Sequence, residues 1–179
     1  MRRLHGESAF ADWMAPESVV QTVQTDYLNA VSWMHDSPAL PWTQQWRNAA
    51  TYLAGHFLRR YQSILLRQRS ERPSPCYGVL RGDHDVRVRG FSADGRRSWL
   101  IDIQTGRRIA TYTSETHERV VTQDMGDAAV VVQMLYEPEA SRWKIEAIIQ
   151  ELPSSWQQHG KITLTPEHPA LRQRIGRDS

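Results

Sequence analysis

Cysteine is nearly absent from this chain of 179 residues, and long apolar runs are missing from it. Cys76 is the single cysteine, which excludes an internal disulfide and a zinc site built from several cysteines. No stretch of about eighteen apolar residues occurs, so no transmembrane helix is predicted. The N-terminal segment also lacks the apolar run of a signal peptide. We therefore expect a soluble, cytoplasmic protein.

An excess of charge of one sign is also missing. The chain has 22 basic and 20 acidic residues and a net charge of +2, and so balanced a composition is a weak argument for nucleic acid. Lys144 and Lys161 are the only lysines, and the abundance of arginine is better explained by a GC-rich coding sequence than by phosphate contacts. We expect neither nucleic acid nor a membrane as a partner.

Sequence motifs for common cofactors and nucleophiles are missing too. There is no glycine-rich phosphate loop and no Gly-x-Ser-x-Gly elbow, and Cys76 has no adjacent base. Asp83-His84-Asp85 is the segment most similar to a metal site, yet on a strand His84 would point away from both aspartates. We expect no metal and no cofactor.

What the chain does contain is helical periodicity in its first part. Hydrophobic residues make up 40% of the sequence, which suffices for a packed core in one domain. Along residues 16–34, apolar residues recur at steps of three and four, at Val20, Val23, Tyr27, Val31 and Met34. A second such stretch covers about 43–69, where Gly55 permits a bend or a division into two shorter helices.

After the linker-like segment 70–75, the apolar period changes from about 3.6 to about 2, as in strands. Six runs with this pattern follow, near Val86 and at 99–104, 107–113, 119–124, 128–136 and 142–152. Thr105-Gly106 and Gly126-Asp127 are read as turns between them. The predicted fold is α+β, with N-terminal helices packed on a strongly curved, cone-like antiparallel sheet of about five or six strands.

The domain boundaries follow from the same patterns. Residues 1–15 show no clear period and are predicted to form an N-terminal extension. Residues 16–152 contain the helices and strands of the domain. The period is lost again after Pro153, so residues 153–179 are predicted to be a C-terminal tail that is flexible or packed as an appendage.

Strand alternation assigns residues to two faces of the sheet. We predict that the face packed against the helices carries Trp99, Ile101, Ile103, Val130, Val132, Met134, Trp143, Ile145 and Ile149. The opposite face would carry Leu100, Asp102, Gln104, Val131, Gln133, Leu135, Glu146 and Ile148. This second face is too apolar to lie wholly in water, so we expect a homodimer formed through the sheet face.

The element order and three segments of the chain match the pattern of a known superfamily. The segments are Tyr27-Leu28-Asn29-Ala30 in the first helix, His35-Asp36 at its end, and Arg142-Trp143-Lys144-Ile145-Glu146 in the last strand. In these features the chain resembles the nuclear transport factor 2-like (NTF2-like) superfamily, a cone-shaped α+β fold shared by SnoaL-type cyclases and many bacterial proteins. The resemblance covers about residues 16–152 and implies a cavity inside the cone, but no particular reaction.

Three residues are candidates for acid–base chemistry, namely Asp102, His35 and Asp36. A carboxylate can orient an imidazole and tune its pKa, which makes the pair His35-Asp36 a candidate. Hydrogen bonding at the helix end is the simpler explanation for that pair. Asp102, like Glu146, would act as a base only if its face of the sheet were buried.

Aromatic residues supply a candidate pocket, lined by Tyr27, Trp33, Trp99, Tyr112, Tyr136 and Trp143. Without an ionisable group such a pocket would bind a small apolar molecule, and ordinary core packing is the alternative for each residue. Our first hypothesis is a non-catalytic binding or assembly module for a small apolar ligand or a protein segment. The alternative is a small cofactor-free isomerase, dehydratase or cyclase, which requires at least two ionisable groups facing one cavity that excludes water.

Overall fold

Three α-helices precede the sheet in the computed structural model, which describes residues 15–70 and 75–152. They are α1 Glu17–Asp36, α2 Trp42–Tyr52 and α3 Gly55–Ser70, with a short 3-10 turn Ser37–Ala39 between the first two. The predicted N-terminal extension and C-terminal tail lie outside the described residues, apart from Ala15.

Helix α1 has the apolar face that the sequence period predicts. Pro16 precedes the helix, and the carboxylate of Glu17 in the first turn interacts favourably with the positive end of the helix dipole. The residues buried along this face are Val23, Tyr27, Ala30, Val31 and Trp33. Pro38 lies just beyond the last turn, and because proline has no backbone N–H it cannot continue the helix. The predicted helix is confirmed, with slightly different ends.

Leu53 and Ala54 divide the second helical stretch because they bond to the sheet. The N–H of Ala54 donates to the carbonyl of Ile145 at 2.9 Å, and Leu53 forms an isolated bridge to the same residue. Gly55 then begins α3 with a φ of +51°, in the left-handed region that favours glycine. The alternative of two shorter helices is therefore confirmed, and their junction is attached to the edge of the sheet.

Gly55→Ala is expected to lower the free energy of unfolding by about 1 to 2 kcal/mol, because a residue other than glycine is strained in the left-handed region. A close contact of the added Cβ should lower it further. An added Cβ would lie 3.1 Å from Cγ of Glu146. Gly106→Ala is the matched control, because Gly106 has a φ of +59° but nothing within 4 Å of an added Cβ. Urea unfolding of both variants measures the difference, and an equal loss in both would contradict the role of the Glu146 contact.

Four strands form one antiparallel sheet in the order β1-β2-β3-β4. They are β1 Cys76–Phe91, β2 Arg97–Thr113, β3 Arg119–Glu137 and β4 Arg142–Leu152. The α+β class and the antiparallel meander are confirmed. The prediction of a strongly curved, cone-like roll is wrong, because the sheet stays open and its first and last strands do not pair with each other.

The prediction of five or six strands is also wrong, because two glycines taken as turns lie inside continuous strands. Gly106 is within β2 and Gly126 is within β3, and both have a positive φ. The register between the two strands shifts on either side of Arg107, which pairs with Gly126. These irregularities are bulges, which bend a strand and absorb extra residues before the ladder resumes.

The helices pack on the sheet face that carries Leu100, and not on the face of Trp99 as predicted. Leu100 pairs with Val132, and Asp102 pairs with Val130, and residues directly opposite each other share a face. The sequence-based prediction shifted the alternation of β2 by one residue relative to that of β3. A shift of one residue moves every side chain of a strand to the other face of the sheet. The core beneath the helices includes Val23, Tyr27, Leu100, Val132, Met134, Trp143 and Ile145.

The other face of the sheet also has a buried apolar centre. It comprises Trp99, Ile101, Ile103, Ala129, Val131, Ile149 and Leu152, each at most 7% exposed. Beside it, Trp99 Nε1 donates to Gln133, and Gln133 and Arg97 both donate to the carboxylate of Glu146. Because these apolar side chains are already buried in the single chain, the homodimer expected through this face stays a prediction.

Candidate functional site

Asp102 lies at the centre of a polar cluster between α1 and the sheet. The alternation of β2 turns its side chain toward the helices, where it is 0% exposed. The hydroxyl of Tyr27 on α1 donates to Asp102 Oδ2 at 2.7 Å, and Nε2 of Gln104 donates to the same oxygen at 2.7 Å. The carboxyl group therefore ties α1 to the sheet.

His84 on β1 is the third group in contact with Asp102. Its Nδ1 lies 2.8 Å from Oδ2, and its side chain is 12% exposed. With a proton on Nδ1, His84 donates to the carboxyl oxygen and keeps Nε2 available as a base. All three contacts use Oδ2, and Oδ1 is buried without a hydrogen-bond partner among the described residues. The cluster thus combines an oriented imidazole with an unused carboxyl oxygen.

The end of α1 brings the other two predicted catalytic residues toward this cluster. The ring of His35 lies beside that of His84, with 5.6 Å between their centroids. Asp36 accepts a hydrogen bond from Arg81 at 2.5 Å, and both side chains are more than half exposed. Asp102 and His35 are therefore connected through His84, whereas Asp36 forms a surface ion pair.

The environment changes the proton affinity of two side chains in the cluster. Burial raises the pKa of Tyr27 well above its ordinary value, and the charge of Asp102 acts in the same direction. Burial lowers the pKa of His35, and electrostatic repulsion of its proton by His84 and by Arg81 lowers it further. At neutral pH, Tyr27 is therefore a hydrogen-bond donor and the ring of His35 is neutral.

The free energy of unfolding is expected to fall as the pH decreases through the ordinary histidine pKa of about 6.5, because of His35. The unfolded chain binds this proton more readily than the folded chain does, so acidification favours unfolding. The carboxyl groups of Asp36 and Asp102 oppose the effect without reversing it. Urea unfolding at about pH 7.5 and about pH 5 measures the effect. The free energy of unfolding should change less between these two pH values in His35→Gln than in the unchanged protein. Identical dependence in both proteins would contradict the prediction.

Sequence reasoning identified Asp102 but not its partners. His84 was predicted to point away from its neighbours Asp83 and Asp85, and in the structure it contacts Asp102 on the adjacent strand. One signal was present in the sequence, because Asp102 is the only charged residue in the apolar run 99–103, and a buried carboxyl group needs hydrogen-bond donors. Which donors it finds depends on strand register and helix position.

The six aromatic residues predicted to line a pocket lie in three places. Four of them belong to the core beneath the helices, namely Tyr27, Trp33, Tyr136 and Trp143. Trp99 belongs to the other face of the sheet. Tyr112 stacks on Tyr77, with 5.6 Å between the ring centroids. The structure therefore brings four of these residues together and places the other two elsewhere.

An open groove lies between α2 and α3. Its volume is about 450 Å³, and its lining residues are Trp42, Thr43, Trp46, Arg47, Ala50 and Gln62. Trp42 and Trp46 stack with their ring centroids 5.3 Å apart and their planes 19° apart. Trp42 Nε1 donates to the carbonyl of Leu65 at 2.8 Å, which holds this indole against α3. The groove therefore presents a fixed aromatic wall.

Two arginines lie at the groove. The guanidinium of Arg69 lies over the ring of Trp42, 4.5 Å from its centroid, and Arg47 belongs to the lining. From Trp42 to Ser70 the chain has no aspartate and no glutamate, and its five arginines are Arg47, Arg59, Arg60, Arg67 and Arg69. Among the described residues, neither Arg47 nor Arg69 forms an ion pair.

Within the described part of the chain, no group of three or more histidines, cysteines, aspartates or glutamates is arranged to hold a metal ion. None of the described helices is long and apolar enough to cross a membrane.

The fold is similar to that of a solved structure, the intermembrane space region of the chloroplast protein ARC6. The TM-score is 0.51 at 12% sequence identity, and the match covers 78% of this chain and 98% of the other. No family model and no curated protein matches the sequence. At this level of identity the similarity concerns the fold alone.

Proposed function

We propose that this protein is a non-catalytic binding or assembly module that binds a protein segment in the groove between α2 and α3. The observation that carries the proposal is the stacked, partly exposed pair Trp42 and Trp46 in the wall of an open groove. Tryptophan is enriched among the residues that dominate protein–protein binding, because it buries a large apolar area at a small loss of conformational freedom.

The shape of the groove favours a protein segment over a small apolar molecule as the ligand. A small-molecule site encloses most of the surface of its ligand, whereas this groove is open to solvent. Its volume of about 450 Å³ accommodates a few side chains of a longer segment. In this arrangement an apolar side chain of the partner packs against Trp46 and Ala50, while the partner backbone stays outside.

A randomised twelve-residue peptide library displayed on phage tests the proposal. Selection against the full chain should enrich peptides whose affinity falls by about tenfold or more in Trp46→Ala, the usual effect of truncating a central tryptophan. Val120→Ala is the control, because Val120 is 61% exposed but lies on β3 and outside the groove. Circular dichroism verifies the fold of each variant. The proposal fails if no peptide is enriched, or if enriched peptides bind Trp46→Ala as tightly as the unchanged protein.

Acid–base catalysis at the cluster around Asp102 is the second candidate function. The contact between His84 Nδ1 and Asp102 Oδ2, together with the unused oxygen Oδ1, favours it, because a carboxyl group that orients an imidazole is a common arrangement for proton transfer. It ranks second because Asp102 and Tyr27 have almost no exposed surface, which leaves His84 and His35 to meet a substrate.

Deuterium exchange tests this second candidate. A base at His84 should exchange the protons next to the carbonyl group of small enolisable ketones in D2O, as followed by NMR. His84→Gln should abolish the exchange while the fold is retained. If the unchanged protein does not accelerate exchange beyond the buffer rate, this candidate function is rejected for such substrates, and the binding function is unaffected.

Membership of the NTF2-like superfamily, a cytoplasmic location and a homodimer through the sheet face are further parts of our proposal. The order of helices before an antiparallel meander supports the family assignment. Light scattering tests the dimer, and a mass equal to that of one chain, 20.7 kDa, at all concentrations would reject it.

A further inference from the structure

We infer that the segment bound in the groove is acidic, an inference that rests on the binding function proposed above. The helices that form the groove carry five arginines and no carboxylate, whereas the whole chain has 22 basic and 20 acidic residues. Positive charge is thus concentrated on these two helices, and Arg47 and Arg69 bring part of it to the groove. A partner with aspartate or glutamate beside an apolar side chain matches both properties of the groove.

Arg47 and Arg69 are placed to meet such carboxylates. Arg47 lines the groove, and the guanidinium of Arg69 lies over the ring of Trp42. A guanidinium over an aromatic ring retains N–H groups that can donate to a carboxylate. Neither arginine forms an ion pair among the described residues, so no carboxylate in this part of the chain competes with that of a partner.

The geometry disfavours stacking of a nucleic-acid base on Trp42. A base would need an open aromatic face on which to stack, but Trp42 is covered on one side by Trp46 and is approached over its ring by Arg69. The geometry also disfavours an anionic membrane, because the Trp42 indole is bonded to the carbonyl of Leu65 and lies against α3 instead of projecting outward as an interfacial anchor would.

The sequences of the peptides enriched from the library provide the first test. Aspartate and glutamate should be over-represented next to an aromatic residue or leucine, and the affinity of these peptides should fall as the salt concentration rises. Replacing the peptide carboxylates by the corresponding amides should weaken binding by about tenfold. Neutral peptides that bind the groove equally well, with no dependence on salt, would overturn the acidic partner while leaving the proposed function intact.

Charge reversal in the protein provides the second test. Arg47→Glu should weaken the binding of an enriched acidic peptide by about tenfold or more, and lysine in place of the peptide carboxylates should restore binding to this variant. Arg96→Glu is the matched control, because Arg96 is an exposed arginine in the turn between β1 and β2. Equal losses in both variants would show a general charge effect and overturn the inference.

Two further probes separate the acidic segment from other anionic partners. One probe is a single-stranded oligonucleotide, and the other is a vesicle that contains phosphatidylserine. Each is added as a competitor to the full chain with an enriched acidic peptide bound, at the concentration at which that peptide binds. Neither is expected to displace the peptide. Binding of either probe that is lost in Trp46→Ala would overturn the inference in favour of that class of partner. If the selection enriches no peptide at all, the proposed function itself is rejected.

Discussion

Replacing Trp143 by alanine is expected to lower the free energy of unfolding by about 3 to 5 kcal/mol, the usual cost of truncating a large buried aromatic side chain. Trp143 is 4% exposed. Its ring packs edge-on against Phe91, with 5.8 Å between centroids, and is tilted against Tyr136 at 5.2 Å. Removal of the indole leaves a cavity between α1 and the sheet that neighbouring side chains fill only in part.

Urea unfolding at neutral pH measures the loss at position 143, with Val121→Ala as the control. Val121 is 52% exposed on β3, so its truncation should change the free energy of unfolding by less than about 1 kcal/mol. The N–H of Trp143 donates to Asp26 of α1, and this backbone contact survives the substitution. A loss below about 1 kcal/mol in Trp143→Ala would contradict the placement of this residue in the core.

Asp102→Asn is expected to lower the free energy of unfolding by about 3 kcal/mol, because three donors converge on Oδ2 of Asp102. An amide has one oxygen and one nitrogen. If the oxygen faces the three donors, the NH2 group occupies the position of Oδ1, for which residues 15–70 and 75–152 provide no hydrogen-bond partner. If the amide is turned, its N–H groups face the donors. Either orientation leaves buried polar groups unsatisfied.

Asp85→Asn is the matched control for this second prediction. Asp85 is exposed on β1 and pairs with Arg87 at the surface, so its change should be nearly neutral. A double-mutant cycle with Tyr27→Phe would measure the interaction between Tyr27 and Asp102 directly, and a positive coupling energy is expected. If Asp102→Asn is as mild as Asp85→Asn, Asp102 is not an organising residue of the core.

The strands show where local patterns predict a fold and where they do not. The alternation along each run predicted strands correctly, because it reports which side chains need to be buried. Gly106 and Gly126 were read as turns, although each sits in a bulge of a long strand. A glycine with positive φ suits a turn and a bulge equally well, so only the pairing of β2 with β3 distinguishes the two.

The functional residues show the same limit. Asp102, His35 and Asp36 were identified as candidates from residue type and position, but the contact of His84 with Asp102 depends on two neighbouring strands. The wall of the groove could not be predicted from the sequence pattern either. Trp46 follows the helical period as a core residue would, yet it is only partly buried and faces a groove between α2 and α3.

The sequence by itself determined the α+β class, the order of helices before an antiparallel meander, and the division of charge that leaves α2 and α3 without a carboxylate. These properties are local, because each is carried by residues that are close together along the chain. The tertiary structure decided the strand count, the face that meets the helices, the polar cluster around Asp102 and the groove of Trp42 and Trp46. Register and helix packing bring together residues as distant in the sequence as Tyr27 and Asp102, and the relative position of such residues is a property of the folded chain.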